Sequence, residues 1–179
     1  MKKKIVFGGI GGIFLTIAGL MFYDMTQMEI ETLILCSANE GGIRIPSDLC
    51  YSYMVNYRIN EKDIEELSEG AGLDYILNGE EPVKYDIAKA FLARGLDVNG
   101  VNHYTAAPPN DKKMTPLQAA VVHNDLLRIK FLLDHGADLR FTGDKGMTAL
   151  EYAKKIHKAG SERQDRTEII QILSDAEKP

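Results

Sequence analysis

The sequence predicts an all-α fold built from stacked helix-turn-helix repeats. The first observation is a six-residue pattern, Thr-Pro-Leu-Gln-Ala-Ala from Thr115, which returns as Thr-Ala-Leu-Glu-Tyr-Ala from Thr148, 33 positions later. The second is a nine-residue pattern over residues 91–99 that recurs over residues 132–140. A period of about 20 to 50 residues is typical of proteins whose units bury their apolar faces against one another. We therefore expect a short solenoid that offers an extended surface.

A helical cap is predicted before the repeats. Apolar residues at helical spacing indicate helices over about 25–38, 47–57 and 60–70. Ser47 and Asn60 are predicted to cap the second and third of these helices, because their side chains can accept a hydrogen bond from the first turn. A repeat stack needs such a cap, since an open end would leave apolar surface in water.

The repeats are predicted to differ in the length of one connecting turn. Pro82 suits the first turn of a helix that ends at Gly95. Gly95 and Gly136 are 41 positions apart, eight more than the period, and the excess lies in residues 100–113. This stretch contains Pro108-Pro109-Asn110, which indicates an enlarged turn.

These patterns resemble the ankyrin-repeat family from about Gly72 to Leu173. In the best unit, residues 113–140, the Thr-Pro pair at 115–116 would open the first helix, with Thr as cap and Pro at the first position. Gly136 would supply the positive φ at the end of the second helix. The resemblance implies two good repeats, a degenerate repeat over 72–99 that matches well only in its second helix, and a non-repeat cap.

Three positions depart from the family pattern. Lys113 stands where a turn glycine is usual, and Ala149 replaces the proline of the last unit. Residues 161–166 enlarge the loop between the two helices of that unit. The expected domains are an N-terminal membrane anchor over 1–24, a helical cap over 25–71 and a repeat domain over 72–179.

The N-terminus is predicted to be a membrane anchor. Three lysines at 2–4 precede residues 5–23, an uncharged run of nineteen residues that can cross a bilayer core as a helix. The positive-inside rule then places everything after Tyr23 on the far side of the membrane. In both functional hypotheses given below, the anchor lies in a bacterial inner membrane and the domain in the periplasm. The alternatives are a secretory signal cleaved near Ala18-Gly19 and a lipoprotein. All three deliver the domain to the same compartment.

The two cysteines, Cys36 and Cys50, are a disulfide candidate in an oxidising compartment. Their bridge would close a loop of about 15 residues, worth roughly 3 kcal/mol on the chain-entropy model. The alternative is two small buried apolar residues, because both follow leucines. The sequence leaves both interpretations open.

Composition and motifs argue against several kinds of function. The net charge is −5 and the basic residues beyond the N-terminus are scattered, so nucleic-acid binding is not expected. The four histidines share no metal-ligand spacing, and the acidic residues over 61–69 are typical of a solvated helix face. We expect no metal, no cofactor, no small-molecule substrate and no enzymatic activity.

The family resemblance implies a protein-binding concave face made by turn tips and inner helices. Tyr104 and Phe141 are the expected aromatic anchors, since large rings with polar neighbours are favoured at interface hot spots. The alternative for each single residue is an ordinary exposed turn position. The other residues of this face would be Asp111, Lys112, Met114, Val122, His123, Thr142, Asp144, Lys145, Met147 and Lys155.

Two functional hypotheses follow. The layout is similar to that of immunity proteins, which bind and occlude a toxic secreted effector such as a phospholipase delivered by a type VI secretion system. The alternative is an envelope scaffold or stress-related ankyrin protein that binds resident periplasmic proteins. Both require another protein as partner.

Overall fold

The structure is a computed structural model that describes residues 2–104, 113–143, 146–158 and 165–178; of residues 2–14 it describes the backbone alone. Every regular element within these ranges is helical, which confirms the all-α prediction. The chain forms two compact units, one up to Arg58 and one from Ile59 onward. The domain limits after residues 24 and 71 stay predictions.

The first unit contains three α-helices. These are α1 (Lys2–Gln27), α2 (Ile30–Ser37) and α3 (Ser47–Tyr53), and a single π-helical turn, Met54–Arg58, continues α3. The helix expected over 25–38 is therefore interrupted, with Glu29 extended at φ −64° and ψ 157°. In an unbroken helix, residues five apart point about 140° away from each other. The break allows Met25 and Ile30 both to be buried.

The start of α3 differs from the prediction. Ser47 is the first helical residue rather than the cap, and Pro46 takes the cap position at φ −56° and ψ 130° without a side-chain hydrogen bond. Proline fixes φ near this value and so prepares the chain for the helix that follows. The helix nevertheless continues to Arg58 through the π-helical turn, close to the predicted end.

A disulfide joins α2 to α3. Cys36 and Cys50 are bonded, with their Cα atoms 5.8 Å apart, and both residues are fully buried. The two interpretations that the sequence left open therefore apply together, because the pair is both bridged and part of the core.

Among the residues whose side chains are described, no helix is both long and apolar enough to cross a membrane. Residues 5–14 of the predicted membrane segment lie outside that part of the chain.

The second unit begins with α4 (Glu61–Glu69) and continues as three helical hairpins. Asn60 caps α4 as predicted, its side-chain oxygen accepting from the backbone N–H of Asp63 at 3.2 Å. The first helices of the hairpins stack side by side, with α7 between α5 and α9. The hairpins are α5 (Leu73–Leu77) with α6 (Lys84–Leu92), α7 (Pro116–His123) with α8 (Leu126–Asp134), and α9 (Ala149–Lys158) with α10 (Thr167–Ala176).

The recurring sequence patterns give recurring local structure. Thr115 accepts from the N–H of Gln118, and Thr148 accepts from the N–H of Glu151, both at 3.2 Å, so α7 and α9 start with the same cap. The first repeat has Gly72 in the corresponding place and no side-chain cap. Its helix α5 is only five residues long, which agrees with the weak match of this helix to the repeat pattern.

A buried ion pair links the first two hairpins. Arg128 of α8 donates to the carboxylate of Asp74 in α5, and both side chains are almost completely buried. Arg128 also donates to the side-chain oxygen of Asn78 at 2.7 Å, and Asn102 donates to Asp74 at 3.4 Å. Neighbouring hairpins are thus held together by polar contacts as well as by the apolar core.

Candidate protein-binding surface

The turns that follow the second helices of the hairpins share one geometry. Gly95 and Gly136 end their helices with φ of +102° and +82°. Two residues later, the carboxylates of Asp97 and Asp138 accept from the N–H groups of Asn99 and Arg140, each at 2.8 Å. This bond is an Asx turn, in which an aspartate closes the chain locally. The two turns therefore present equivalent positions at the same edge of the stack.

Neighbouring turns are also bonded to each other. The side-chain oxygen of Asn99 accepts from the N–H of Asp138 at 2.8 Å, although the residues are 39 positions apart. The turn after α6 is therefore fixed relative to the turn after α8. We call the segments 96–103 and 138–143 the turn strip.

Gln118 holds the far end of the turn strip. It is fully buried in α7, and its side-chain nitrogen donates to the carbonyls of Thr142 at 3.0 Å and Met147 at 2.6 Å. Its side-chain oxygen accepts from the N–H of Thr115 at 3.0 Å, which completes the cap of α7. A single amide thus ties the start of an inner helix to the loop of the next repeat. Asp144 and Lys145, predicted for the tip of this loop, lie outside the described residues.

Asn102 and its neighbours close the base of the enlarged turn. The N–H of Asn102 donates to the carbonyl of Met114 at 3.1 Å, and the N–H of Lys113 donates to the carbonyl of Asn102 at 2.9 Å. The side-chain oxygen of Asn102 accepts from the N–H of Tyr104 at 2.9 Å. The predicted contact residues Asp111 and Lys112 lie in the part of this turn outside the described residues.

A groove of about 280 Å³ lies beside the turn strip. Leu96, Val101 and Phe141 form its apolar wall, and Asp97 and His103 add polar groups. Phe141 is 40% exposed, so its ring contributes to the groove and also faces solvent. The combination of an apolar wall, a half-exposed ring and polar neighbours is typical of a protein-binding hot spot.

The structure brings some of the predicted contact residues together and separates others. Phe141, Thr142 and Met147 belong to one loop, which Gln118 holds in place. Tyr104 is 40% exposed at the edge of the enlarged turn. The remaining predicted residues with a described surface position are His123 and Lys155, which are exposed, and Val122, which is half-buried.

Met114 is a correction to the predicted surface. Its side chain is fully buried, because the residue lies directly before the cap of α7 and its carbonyl is bonded to Asn102. It therefore offers no side-chain surface to a partner and belongs to the core.

Sequence reasoning missed Leu96, Val101 and His103 as groove residues. A signal for Leu96 was present, since Leu96-Asp97 occupies the place of Ala137-Asp138 in the recurring nine-residue pattern. The correspondence placed Leu96 in a turn but gave no indication of an apolar groove there. No sequence pattern indicated His103 as a groove residue. Its position depends on a contact between the turn and the end of α4, in which its backbone N–H donates to the carbonyl of Gly70 at 2.8 Å.

The resolved pKa shifts have local causes. Burial raises the pKa of Tyr85, and the nearby Asp125 carboxylate raises it further, against an opposing effect of Arg128. Hydrogen bonds from the side chain and backbone of Thr167 lower the pKa of Asp165. Across the described residues, no group of three or more His, Cys, Asp or Glu side chains could hold a metal ion.

A family comparison identifies the repeats. A family model of ankyrin repeats (three copies) matches residues 79–178, which is more than half of the 179-residue chain. The chain belongs to the ankyrin-repeat family. Ankyrin repeats are protein-protein interaction modules, so the chain carries a module of this kind. Searches of curated proteins and of solved structures find no match.

The ankyrin assignment explains the backbone at one turn position. Lys113 and Gly146 are 33 residues apart and have φ of +60° and +65°. Each comes two residues before the capping threonine of its repeat. This left-handed conformation favours glycine, so Lys113 departs from the ankyrin pattern in residue type and keeps the pattern in backbone geometry.

Proposed function

We propose that this ankyrin chain is an immunity protein, tethered to the periplasmic face of a bacterial inner membrane, that binds and occludes a toxic secreted effector. The observation that carries the proposal is the turn strip with its groove, where Phe141 stands half-exposed over an apolar wall on an interaction scaffold. Occlusion needs only tight binding over the effector's active site. No chemistry of its own is required of the chain.

The groove supports a specific mode of binding. An apolar side chain of the effector would fill the space between Leu96, Val101 and Phe141, and polar groups of the effector would meet Asp97 and His103. Rings in such positions carry much of the binding energy when their surroundings exclude water. The net charge of −5 would steer the chain toward a basic effector surface and raise the association rate.

The membrane tether is part of the same proposal. Residues 5–23 supply an uncharged run of sufficient length, with Lys2, Lys3 and Lys4 on the cytoplasmic side. The Cys36–Cys50 disulfide supports this placement, because such bonds persist in the periplasm and are rare in the reducing cytosol. A tether would keep the immunity protein where an incoming effector arrives.

Co-expression with the product of an adjacent toxin-like gene tests the proposal. We expect the full-length chain to capture this protein and to restore growth. Phe141→Arg should weaken the complex by at least about 2 kcal/mol, or roughly 30-fold, because it removes the ring and adds a charge to the groove. Leu127→Ala is the matched control, since Leu127 is 69% exposed on α8 and away from the groove.

The outcome decides between the functions. The absence of both binding and protection in this experiment would contradict the immunity proposal. Pull-down of the full-length chain from the membrane fraction gives the second test, because an immunity protein recovers a single effector. Recovery of several resident envelope proteins, with Phe141→Arg reducing them all, would replace it with the scaffold function.

A further inference from the structure

Three aromatic rings of the first unit form a continuous cluster. Phe22 of α1 meets Tyr53 of α3 edge-on, with ring centroids 5.5 Å apart and planes at 81°. Tyr53 in turn lies 5.5 Å from Tyr57, which follows in the π-helical turn. The contacts bring the end of α3 alongside the end of the apolar run in α1.

Further exposed apolar residues flank the cluster along α1 and α3. Tyr57 is 72% exposed and Phe22 is 54% exposed, although both rings have aromatic neighbours. Leu49, Tyr53 and Tyr57 follow one another at intervals of four residues, so they form a stripe along one helical side. Leu20, Tyr23 and Leu49 are also exposed. We call these six residues, Leu20, Phe22, Tyr23, Leu49, Tyr53 and Tyr57, the aromatic patch.

The exposed charged residues directly beside the patch are acidic. Asp24 directly follows Tyr23, and Asp48 directly precedes Leu49, and both are exposed. A patch that attracted anionic headgroups by charge would carry exposed lysine or arginine. Arg58, which directly follows Tyr57, is half-buried and donates to the carbonyl of Met28 at 2.8 Å. Its affinity for a surface must therefore come from apolar burial and from the phenol hydroxyls, which suit an environment that is apolar at one end and wet at the other.

We propose that the aromatic patch lies in the headgroup region of the bilayer that holds residues 5–23, and that it seats the first unit directly on the membrane surface. This inference rests on the proposed tether. Helical residues rise 1.5 Å each, so a run of nineteen residues spans roughly 28 Å, close to the apolar thickness of a bilayer. Phe22 and Tyr23 then reach the interface, where aromatic belts form.

The ring contacts extend this interface to α3. Because Phe22 touches Tyr53, and Tyr53 touches Tyr57, the cluster reaches from the end of the apolar run in α1 to the end of α3. The disulfide from Cys36 fixes Cys50, three residues before Tyr53, to α2. The bond therefore holds the tyrosines of α3 in a constant position for contact with lipid.

Tryptophan fluorescence in vesicles tests the inference, because the chain contains no tryptophan. Three full-length variants each carry one reporter: Leu15→Trp in the tether, Tyr57→Trp in the patch and Tyr104→Trp in the second unit. Each is reconstituted into phosphatidylcholine vesicles, with and without bromine at defined depths on the lipid chains. Leu15 and Tyr57 are exposed, so the substitutions disturb no packed core.

The expected result is a graded pattern. Leu15→Trp should lose most intensity with bromine deep in the bilayer. Tyr57→Trp should lose most intensity with bromine near the headgroups, and its emission should shift to shorter wavelength. Tyr104→Trp should keep its intensity at every depth. Anionic lipid should not strengthen the quenching of Tyr57→Trp, since the exposed carboxylates of Asp24 and Asp48 border the patch and repel anionic headgroups.

The three reporters distinguish failure of the proposed tether from failure of the proposed contact between patch and membrane. Loss of quenching at Leu15→Trp would overturn the tether and the patch contact together. Quenching of Leu15→Trp without quenching of Tyr57→Trp would leave the tether intact and overturn the membrane contact, leaving the patch to a protein partner. Equal quenching of Tyr57→Trp and Tyr104→Trp would indicate general adsorption and would also overturn it.

Discussion

Lys113 has a backbone conformation that most side chains avoid. Its φ of +60° matches that of Gly146 in the next repeat, where glycine adopts the conformation without steric conflict. The sequence identified Lys113 as a departure from the family, but its geometry could be inferred only by assuming that the turn is conserved between the two repeats.

Replacing Lys113 with glycine should stabilise the second unit. Lys113→Gly relieves a left-handed residue, and the gain is partly offset by the greater entropy of glycine in the unfolded chain, leaving about 0.5–1 kcal/mol. Gly146→Lys is the reverse control and should destabilise the unit by about 1 kcal/mol. Urea unfolding measures both. A destabilised Lys113→Gly variant would show that the lysine side chain contributes more than its backbone costs.

Gln118 has two roles, and local sequence spacing accounts for only one. It stands three residues after Thr115, the spacing of a threonine and glutamine pair that caps a helix, and it completes the cap of α7. Its bonds to Thr142 and Met147 reach 24 and 29 residues along the chain. Contacts of that separation depend on the stacking of repeats, which local pattern does not specify.

Gln118→Ala should therefore cost more stability than the equivalent change in the next repeat. Loss of its bonds leaves buried carbonyl and amide groups without partners, which we expect to lower the free energy of unfolding by about 2–3 kcal/mol. Glu151→Ala removes a similar but exposed cap bond and should cost only about 0.5–1 kcal/mol. Equal losses in chemical denaturation would contradict the bridging role of Gln118.

Tyr85 gives the structure a pH dependence in alkali. Its folded-state pKa is raised above the ordinary value of 10.0, chiefly by burial, so the folded protein resists its ionisation. The contribution of Tyr85 to stability is complete below pH 10 and is lost as pH rises through the folded-state pKa. Tyrosinate absorbance of the wild type minus that of Tyr85→Phe should show a midpoint above 10. A difference curve centred at or below 10 would contradict this.

At the scale of elements, the helices and their order followed from apolar spacing, capping residues and glycines. The exceptions have tertiary causes. The interruption between α1 and α2 allows Met25 and Ile30 to share a core, a requirement that spacing along one helix cannot reveal. Arg166 is a second exception, because its sequence position suggested only an enlarged loop.

Arg166 joins the last outer helix to the middle repeat. It is buried directly before α10, and its guanidinium donates to the carbonyls of Val121 at 3.1 Å and Val122 at 3.0 Å, in the last turn of α7. Helix C-termini have carbonyls without helical partners and a partial negative charge, so a buried arginine satisfies both.

Arg166→Met should loosen the third repeat. The variant keeps an apolar stem and loses both donors, so we expect a loss of about 2–3 kcal/mol. Hydrogen exchange should accelerate most in α9 and α10, because repeat proteins transmit stability between neighbours. Arg140→Met, at an exposed arginine, should change stability by less than about 0.5 kcal/mol. Unchanged protection of α10 in Arg166→Met would refute the capping role.

At the scale of the whole molecule, the repeat architecture and the turn edge could be predicted, whereas the polar network between repeats could not. Asp74 and Arg128 are 54 positions apart, and neither belongs to a recurring pattern. A buried pair of this kind costs desolvation energy, so its main effect is to specify how the hairpins fit together. The groove could not be predicted either, because residues from two turns and α4 meet there only after the repeats have stacked.

Breaking the ion pair should be costly from either side. Arg128→Met leaves the buried Asp74 carboxylate without its main partner and should destabilise the protein by about 3–5 kcal/mol. In the double variant Asp74→Leu/Arg128→Met the loss should be smaller than the sum of the single losses by at least about 2 kcal/mol. Additive losses in a double-mutant cycle would show that the two residues act independently.

The same ion pair predicts an order for folding. Asp74 lies near the start of the repeats. Its partner, Arg128, follows in the sequence only after α6, the enlarged turn and α7. Until Arg128 arrives, burial of the Asp74 carboxylate is unfavourable, and closure of so long a loop must precede the gain. We therefore expect the first repeat to become fully ordered only together with the second. The binding surface would then be completed in one late step, when the second hairpin docks and both turns of the strip become ordered together.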